Sequence, residues 1–291
     1  MADWSDPRLR MQALQRFGLG PKPGQGGTVA DVRERLLAEI SSDGAPQPRV
    51  GFSGAAPIGR ALYAFEDEER AAREAKRVAV QHGGGQPAMG QGVQVAAASP
   101  MPSQPQGSIP APAQPAPPFP QAVYREEVVS RVQGALEAEA GFAERLVQFW
   151  SNHFCVSVAK GNFVRAMAGA FEREAIRPNI FGRFEDLLIA VESHPAMLNF
   201  LDNQLSIGPD SRAGKRRGRG LNENLAREIM ELHTLGVSGG YTQADVTSLA
   251  RIITGWTVVG RDGSLGFPGS FAFNAGLHEP GSRQRLGGDE Q

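Results

Sequence analysis

Apolar side chains recur along most of the chain at the three- and four-residue steps of an α-helix. From Phe142 to His153 they follow one another at steps of 4, 3, 1 and 3, which places them on one helical face. The same spacing marks further segments at Phe163, Met167 and Phe171; at Phe184, Leu187 and Val191; at Leu221, Leu225 and Ile229; and at Val246, Leu249 and Ile253. Thr242 and Asp245 form a capping-box-like start for the last segment. The pattern predicts a mainly helical protein.

Two further regions complete the predicted architecture. Three more helices are predicted before residue 83, over residues 7–17, 28–40 and 60–80. Near the C-terminus, Trp256 to Val259 and Ser270 to Phe273 can pair as strands around an Asp262-Gly263 turn. The expected fold class is mainly α: a multi-helical globular domain with a small β-hairpin near the C-terminus and a long disordered insertion.

The insertion is predicted from composition. Residues 83–120 contain 10 of the 21 prolines and no charged side chain. Such a segment has too few large apolar groups to offset the entropy lost on ordering. We therefore divide the chain into an N-terminal helical segment (1–82), a Pro/Gly/Ala/Gln-rich disordered linker (83–120) and the main helical region of the same domain (121–291).

Charge and cysteine content exclude several classes of protein. The 30 basic and 31 acidic side chains give a net charge of −1, which argues against a generally basic nucleic-acid binder. A single cysteine excludes an internal disulfide. There is no apolar run of about 18 residues that could span a membrane. The N-terminus has no apolar signal core, so we expect a cytoplasmic protein.

Glu174 is the first candidate for chemistry. At 100° per residue it projects from the middle of the Phe163/Met167/Phe171 face. A buried carboxylate is costly unless it is paired or protonated. Arg177 is the obvious local partner, so the interpretations are a structural ion pair, or a ligand or acid–base group with a perturbed pKa.

A second set of polar residues lies on the helix predicted from Leu221. Asn224, Glu228 and Glu231 share one edge of it, beside the apolar stripe, whereas His233 lies on the opposite flank. Glu223 and Arg227 are expected to pair with each other. The two carboxylates could share a divalent metal with a histidine from another helix, or belong to a buried network of hydrogen bonds and salt bridges.

The remaining histidines and the cysteine have simpler interpretations. His153 ends an apolar face and His194 precedes a proline, so both are expected to be satisfied core or cap residues. Cys155 lies in the apolar run FCVSV and is expected to be a small buried hydrophobe.

Several polar blocks give the chain a recognisable signature. They are FWSNHF (149–154), FEREAIRP (171–178), ESHPAMLNFLDN (192–203), GLNENLAREIMELHTLG (220–236), GYTQADV (240–246) and ARIITGWT (250–257). On these blocks, and on RFGLGPKPG near the start, the chain resembles the bacterial family called domain of unknown function 1800.

The resemblance implies a mostly helical fold and no established activity. It implies a partner, since genes of the family often lie beside those of a sulfatase-like secreted family. Many members carry export signals, so the resemblance makes a periplasmic or exported location the alternative to the cytoplasm. It also implies further helices after the segment at 273–281, so we expect the chain to be truncated at its C-terminus.

Two functional hypotheses remain from the sequence. The first is a hydrolytic enzyme with an acid–base or metal site in a cleft between helices. Its candidate catalytic residues are Glu174, Glu228, Glu231, His153 and His233, and its candidate substrate-binding or orienting residues are Asn222, Asn224, Arg177 and Arg227. The second is a non-catalytic scaffold or partner-binding protein in which these polar blocks are structural networks.

Overall fold

In a computed structural model the chain is described over residues 6–23, 29–40, 43–52, 54–82, 116–217 and 220–281. The α-helices of these ranges are α1 (Pro7–Phe17), α2 (Val29–Ala38), α3 (Ala55–His82), α4 (Phe119–Glu137), α5 (Phe142–His153), α6 (Asn162–Phe171), α7 (Phe184–Ser193), α8 (Pro195–Phe200), α9 (Gly214–Arg217), α10 (Asn224–Glu228) and α11 (Gln243–Ile252). The mainly helical fold class is confirmed. Of the predicted linker, residues 83–115 lie outside the described ranges, and α4 already begins at Phe119.

The predicted hairpin is present. Strands β1 (Trp256–Val258) and β2 (Phe271–Phe273) pair antiparallel, with Trp256 opposite Phe273 and Val258 opposite Phe271. The capping box of α11 is also present: the Thr242 side chain accepts from Asp245 N, and the Asp245 carboxylate accepts from Thr242 N at 2.7 Å. None of the described helices is long and apolar enough to cross a membrane.

The core is built around α6. This helix packs against α3, α4 and α8, and it buries Val164, Ala166, Met167, Ala170 and Phe171. Gly169 on its α4 side leaves room for Glu127, because a Cβ added there would come within 2.3 Å of that side chain. Close packing of α4 against α6 therefore depends on glycine at position 169, which has no side chain.

The first two helices attach to this core through a second, smaller contact. Leu14 and Val32 form a buried cluster with Ala140, just before α5. Glu39, which follows α2, accepts hydrogen bonds from four successive backbone N–H groups, those of residues 140–143, at 2.6 to 3.0 Å. One carboxylate thus satisfies most of the free N–H donors at the start of α5.

Two helices change their winding within the polar blocks. After α6 the chain forms a π-helical turn at Glu172–Ile176, and after α10 a second one at Ile229–Thr234. A π-helical turn bonds residue i to residue i+5, so side chains five apart share one side of it. Both turns position side chains that we singled out from the sequence.

Candidate acid–base site

Arg177 is the centre of a buried ion network. Its guanidinium donates to both oxygens of Glu144 at 2.7 and 2.9 Å, to Glu172 Oε1 at 3.0 Å and to the Pro46 carbonyl at 2.7 Å. The predicted pairing of Arg177 with Glu174 is therefore wrong. The reason is the first π-helical turn, which places Arg177 on the side of Glu172, five residues earlier.

Glu174 has different partners. Its Oε1 accepts from Ala55 N at 2.8 Å at the start of α3, and its Oε2 lies 3.1 Å from His194 Nε2. The side chain is 38% exposed, so it does not lie buried in the α6 face as predicted. Partial burial acts to raise the pKa of Glu174, but His194, the Ala55 N–H and the charge of Arg173 together hold it below its ordinary value.

His194 is fixed in one tautomer. Its Nδ1 accepts from Ala196 N at 3.1 Å as the N-cap of α8, so Nε2 carries the proton and donates to Glu174. The sequence interpretation of His194 as a cap is borne out. That interpretation missed its second bond, which ties the start of α8 to the first π-helical turn.

Most polar residues around α10 have structural partners. Arg227 lies 3.2 Å from Glu223, as expected, and 3.3 Å from Glu231. Asn222 donates to the Asp202 carbonyl at 3.1 Å and accepts from Asn224 N at 3.0 Å, while Asn224 is itself exposed. These bonds position the entry to α10.

The second π-helical turn brings His233 to a buried carboxylate. His233 Nδ1 lies 2.6 Å from Oε1 of Glu192, the residue in the last turn of α7, and both residues are buried, at 6% and 2% exposure. A neutral His233 then carries its proton on Nδ1 and has its free lone pair on Nε2. Nε2 has no hydrogen-bond partner within the described residues.

Glu228 and His153 lie beside this pair. His153 donates from Nε2 to the His233 carbonyl at 3.2 Å, and the two imidazole centroids are 6.1 Å apart. Glu228, five residues before His233, is near enough to act on the charge of Glu192. Glu228 and His233 both act on Glu192, and the chain between them forms a π-helical turn where the sequence interpretation assumed α-helical winding.

Glu192 is an unusual carboxylate in two respects. Burial raises the pKa of Glu192, and the charge of Glu228 adds to that effect, while the hydrogen bond from His233 and the charges of His233 and His153 oppose it. Its second oxygen, Oε2, is buried without a hydrogen-bond partner among the described residues. Glu192 and His233 thus form a desolvated carboxylate–imidazole dyad.

Glu192 was missed as a site residue in the sequence. A signal was present, since Glu192 lies four residues after Leu188 at the edge of the apolar face of α7. The ESHP block supplies one residue to each of two dyads, Glu192 to His233 and His194 to Glu174.

No metal ligand set is present in the described part of the chain. There, no group of three or more His, Cys, Asp or Glu side chains could hold a metal ion. The divalent metal that was one alternative for the α10 carboxylates has no support from these residues.

Two clefts lie near the Arg177 network. One, of about 200 Å³, is lined by residues including Glu127, Arg131, Cys155 and Arg173; the other, of about 450 Å³, is lined by Arg49, Phe52 and Glu174 among others. Cys155 is exposed at the first cleft, so its predicted burial is wrong. It follows the end of α5, where the chain leaves the helix and no longer continues the apolar face.

A family model described as "Protein of unknown function (DUF1800)" matches residues 12–291. No curated protein and no solved structure matches the chain.

Proposed function

The chain belongs to the DUF1800 family of proteins of unknown function, and from that premise we propose that it is a hydrolytic enzyme with His233, oriented by Glu192, as its general base. The observation that carries the proposal is the 2.6 Å contact between His233 Nδ1 and Glu192 Oε1. A buried carboxylate on Nδ1 fixes the ring and its tautomer, and it stabilises the imidazolium formed when Nε2 takes a proton.

The proposed reaction uses water as the nucleophile. His233 Nε2 removes a proton from a water molecule as its oxygen attacks the scissile group. The bond to the leaving oxygen or nitrogen then breaks, and the imidazolium returns the proton to that atom. Glu192 is a positioning residue in this scheme, because it acts through the ring of His233.

Two neighbours complete the proposed site. His153 is held by its bond to the His233 carbonyl, which keeps its Nε2 protonated and its Nδ1 free for proton transfer. Glu228 has no ion pair within the described residues, so its carboxylate is available to orient a water or a substrate donor. The proposal thus retains His153, His233 and Glu228 from the residues predicted from sequence, and it adds Glu192.

The other predicted site residues receive supporting roles in the proposal. Glu174 and Arg177 hold α3 and α5 to the first π-helical turn, while Arg227 of α10 pairs with Glu231 of the second π-helical turn. Asn222 and Asn224 set the start of α10. In the proposal, all six of these residues stabilise the fold that positions the dyad of Glu192 and His233.

The test is a comparison of isosteric variants on a panel of activated substrates. The purified chain is assayed with p-nitrophenyl carboxylic, phosphate and sulfate esters and with a peptide anilide. His233→Gln is expected to lower kcat/KM about 10²- to 10⁴-fold on the substrate that is turned over, the range typical of a lost general base. Glu185→Gln, an exposed residue on α7, is the matched control and keeps the wild-type rate.

The positioning role of Glu192 needs a readout of its own. Glu192→Gln is expected to lower kcat with little change in KM, because the imidazole loses the carboxylate that orients it, whereas Glu192→Asp restores part of the activity. No turnover of any substrate by the wild type, or an unchanged rate in a folded His233→Gln variant, overturns the proposal.

The scaffold hypothesis is favoured by a separate observation, the closure of Glu144, Glu172 and Glu127 by arginine side chains. If the protein is a scaffold, Glu192→Gln and His233→Gln lower only the free energy of unfolding. A sulfatase-like partner and a cytoplasmic or exported location stay predictions. Co-purification from a bacterial host fractionated into cytoplasm and periplasm tests both.

A further inference from the structure

A group of aromatic rings adjoins the proposed site. We call it the aromatic shelf and define it by Phe149, Trp150, Phe154 and Phe184. Neighbouring members lie with centroids 4.9 to 6.3 Å apart. The shelf thus joins α5 to the start of α7, the two helices that also carry His153 and Glu192.

The shelf contacts both histidines of the site. Phe149 lies parallel to the His153 ring, at an interplanar angle of 5° and a centroid distance of 6.5 Å. Phe154, which is fully buried, meets the His233 ring edge-on at 5.2 Å. The ring contacts are therefore continuous from the proposed general base to the outer members of the shelf.

The outer members are open to solvent. Phe149 is 58% exposed and Phe184 is 43% exposed, although Phe154 behind them is buried. Two exposed phenylalanines joined through Trp150 form an apolar surface rather than scattered single contacts. Such a surface beside a general base suits the apolar part of a substrate.

The charges at the site favour a neutral substrate. Glu192 and Glu228 have no arginine or lysine partner within the described residues. The nearest arginine in sequence, Arg227, is held by Glu223 and Glu231. A phosphate or sulfate group would meet these carboxylates without a cation to offset the repulsion.

We propose that the substrate is an uncharged carboxylic ester whose apolar acyl group lies on the aromatic shelf. The inference rests on the proposed hydrolytic function and names its substrate class. In the step, the oxygen of water bonds to the acyl carbon and the acyl–oxygen bond breaks. One proton of the water passes through His233 Nε2 to the leaving alcohol, so the products are the carboxylic acid and the alcohol.

The first experiment uses p-nitrophenyl esters of increasing acyl length. In the wild type, kcat/KM is expected to rise about two- to fourfold for each added methylene while the chain covers the shelf. Phe149→Ala and Phe184→Ala flatten that dependence. Leu136→Ala, at an exposed site on α4, is the control and keeps the wild-type dependence.

The second experiment needs no turnover. Straight-chain primary alcohols are titrated into the protein, and binding is followed by the indole N–H signal of Trp150. Affinity is expected to increase with chain length in the wild type and in Leu136→Ala, and to lose that increase in Phe149→Ala.

The outcomes separate the two proposals. Ester hydrolysis that depends on His233 but not on acyl length overturns the shelf inference alone, and so does faster cleavage of phosphate or sulfate esters. Chain-length-dependent alcohol binding without hydrolysis of any ester overturns the proposed function and the ester substrate, while it leaves the shelf as an apolar binding surface.

Discussion

Arg177 illustrates how much a single side chain can hold in this fold. It has no exposed surface, and its guanidinium joins α5 to the first π-helical turn through Glu144 and Glu172. Burial acts to lower the pKa of Arg177, but the two carboxylates outweigh it and raise the pKa. The guanidinium is therefore charged at all working pH values, and both carboxylates depend on it.

Replacement of Arg177 is expected to be severe. Arg177→Met leaves two carboxylates buried without their cation, so the free energy of unfolding should fall by about 3–5 kcal/mol. Urea denaturation measures the loss. Arg183→Met is the control, since Arg183 and its partner Glu185 are both exposed, and we expect a change within about 0.5 kcal/mol. Similar losses in the two variants would contradict the buried network.

The pair of Glu174 and His194 gives the stability a dependence on pH. The folded-state pKa of Glu174 lies below the ordinary value of 4.5, so the unfolded chain binds this proton first. Its contribution is present above the unfolded-state pKa and is lost as the pH falls through the lower folded-state pKa. Glu174→Gln should reduce the slope of stability against pH below about pH 4.5. The slope is measured from the midpoints of urea unfolding between pH 3 and 6. An unchanged slope in Glu174→Gln would contradict the ion pair of Glu174 with His194.

For single residues, the sequence predicted which polar side chains contact others better than it predicted the residues that they contact. The positions of His153 and His233 on helical faces predict them as candidates, and in the structure the two rings are neighbours. Their central partner, Glu192, was overlooked, and Arg177 was paired with the wrong carboxylate. Partners in a packed helical protein come from other helices, and a spacing rule describes only one helix at a time.

At the scale of elements, the two π-helical turns explain most of the differences from expectation. Helices, the hairpin and the α11 capping box follow from periodicity and turn chemistry that lie within a few residues. A π-helical turn has no comparable signature, because its i to i+5 bonds depend on what the following side chains meet in the core. The placement of His233 could therefore not be derived from a fixed 100° per residue.

A one-residue deletion tests the second π-helical turn. Removal of Thr234, which is exposed, should return the turn to α-helical winding while His233 stays five residues after Glu228, so the imidazole should rotate away from Glu192. Proton NMR should then lose the far-downfield Nδ1–H signal expected of a 2.6 Å contact, while circular dichroism retains its helical intensity. Thr234→Ala keeps the number of residues and should keep the signal. Persistence of the signal in the deletion variant would refute the role of the turn.

At the scale of the whole molecule, Glu39 links the first two helices to the rest. Its carboxylate accepts the four N–H groups of residues 140–143, and it lies next to the small cluster of Leu14, Val32 and Ala140. The main core and this cluster are otherwise separate groups of buried residues. The attachment of α1 and α2 thus relies on few side chains.

Substitution at Glu39 should loosen that attachment. Glu39→Gln removes the charge and one acceptor, so the free energy of unfolding should fall by about 1.5–3 kcal/mol, the range for a hydrogen bond to a charged group. Hydrogen exchange should quicken at the amides of Phe142 and Ala143. Glu34→Gln, on the exposed side of α2, is the control and should change neither the free energy of unfolding nor the exchange of these amides. Equal protection of these amides from hydrogen exchange in Glu39→Gln and Glu34→Gln would contradict the attachment of α1 and α2 through Glu39.

The Glu39 carboxylate also has a consequence during synthesis. The first amide that it binds lies 101 residues further along the chain. At about 5–20 residues per second, a ribosome needs about 5–20 s to make that stretch. During that interval α1 and α2 are already synthesised, but the amides that bind Glu39 are not. The N-terminal helices therefore lack this attachment and stay accessible to proteases and chaperones until residues 140–143 have been made.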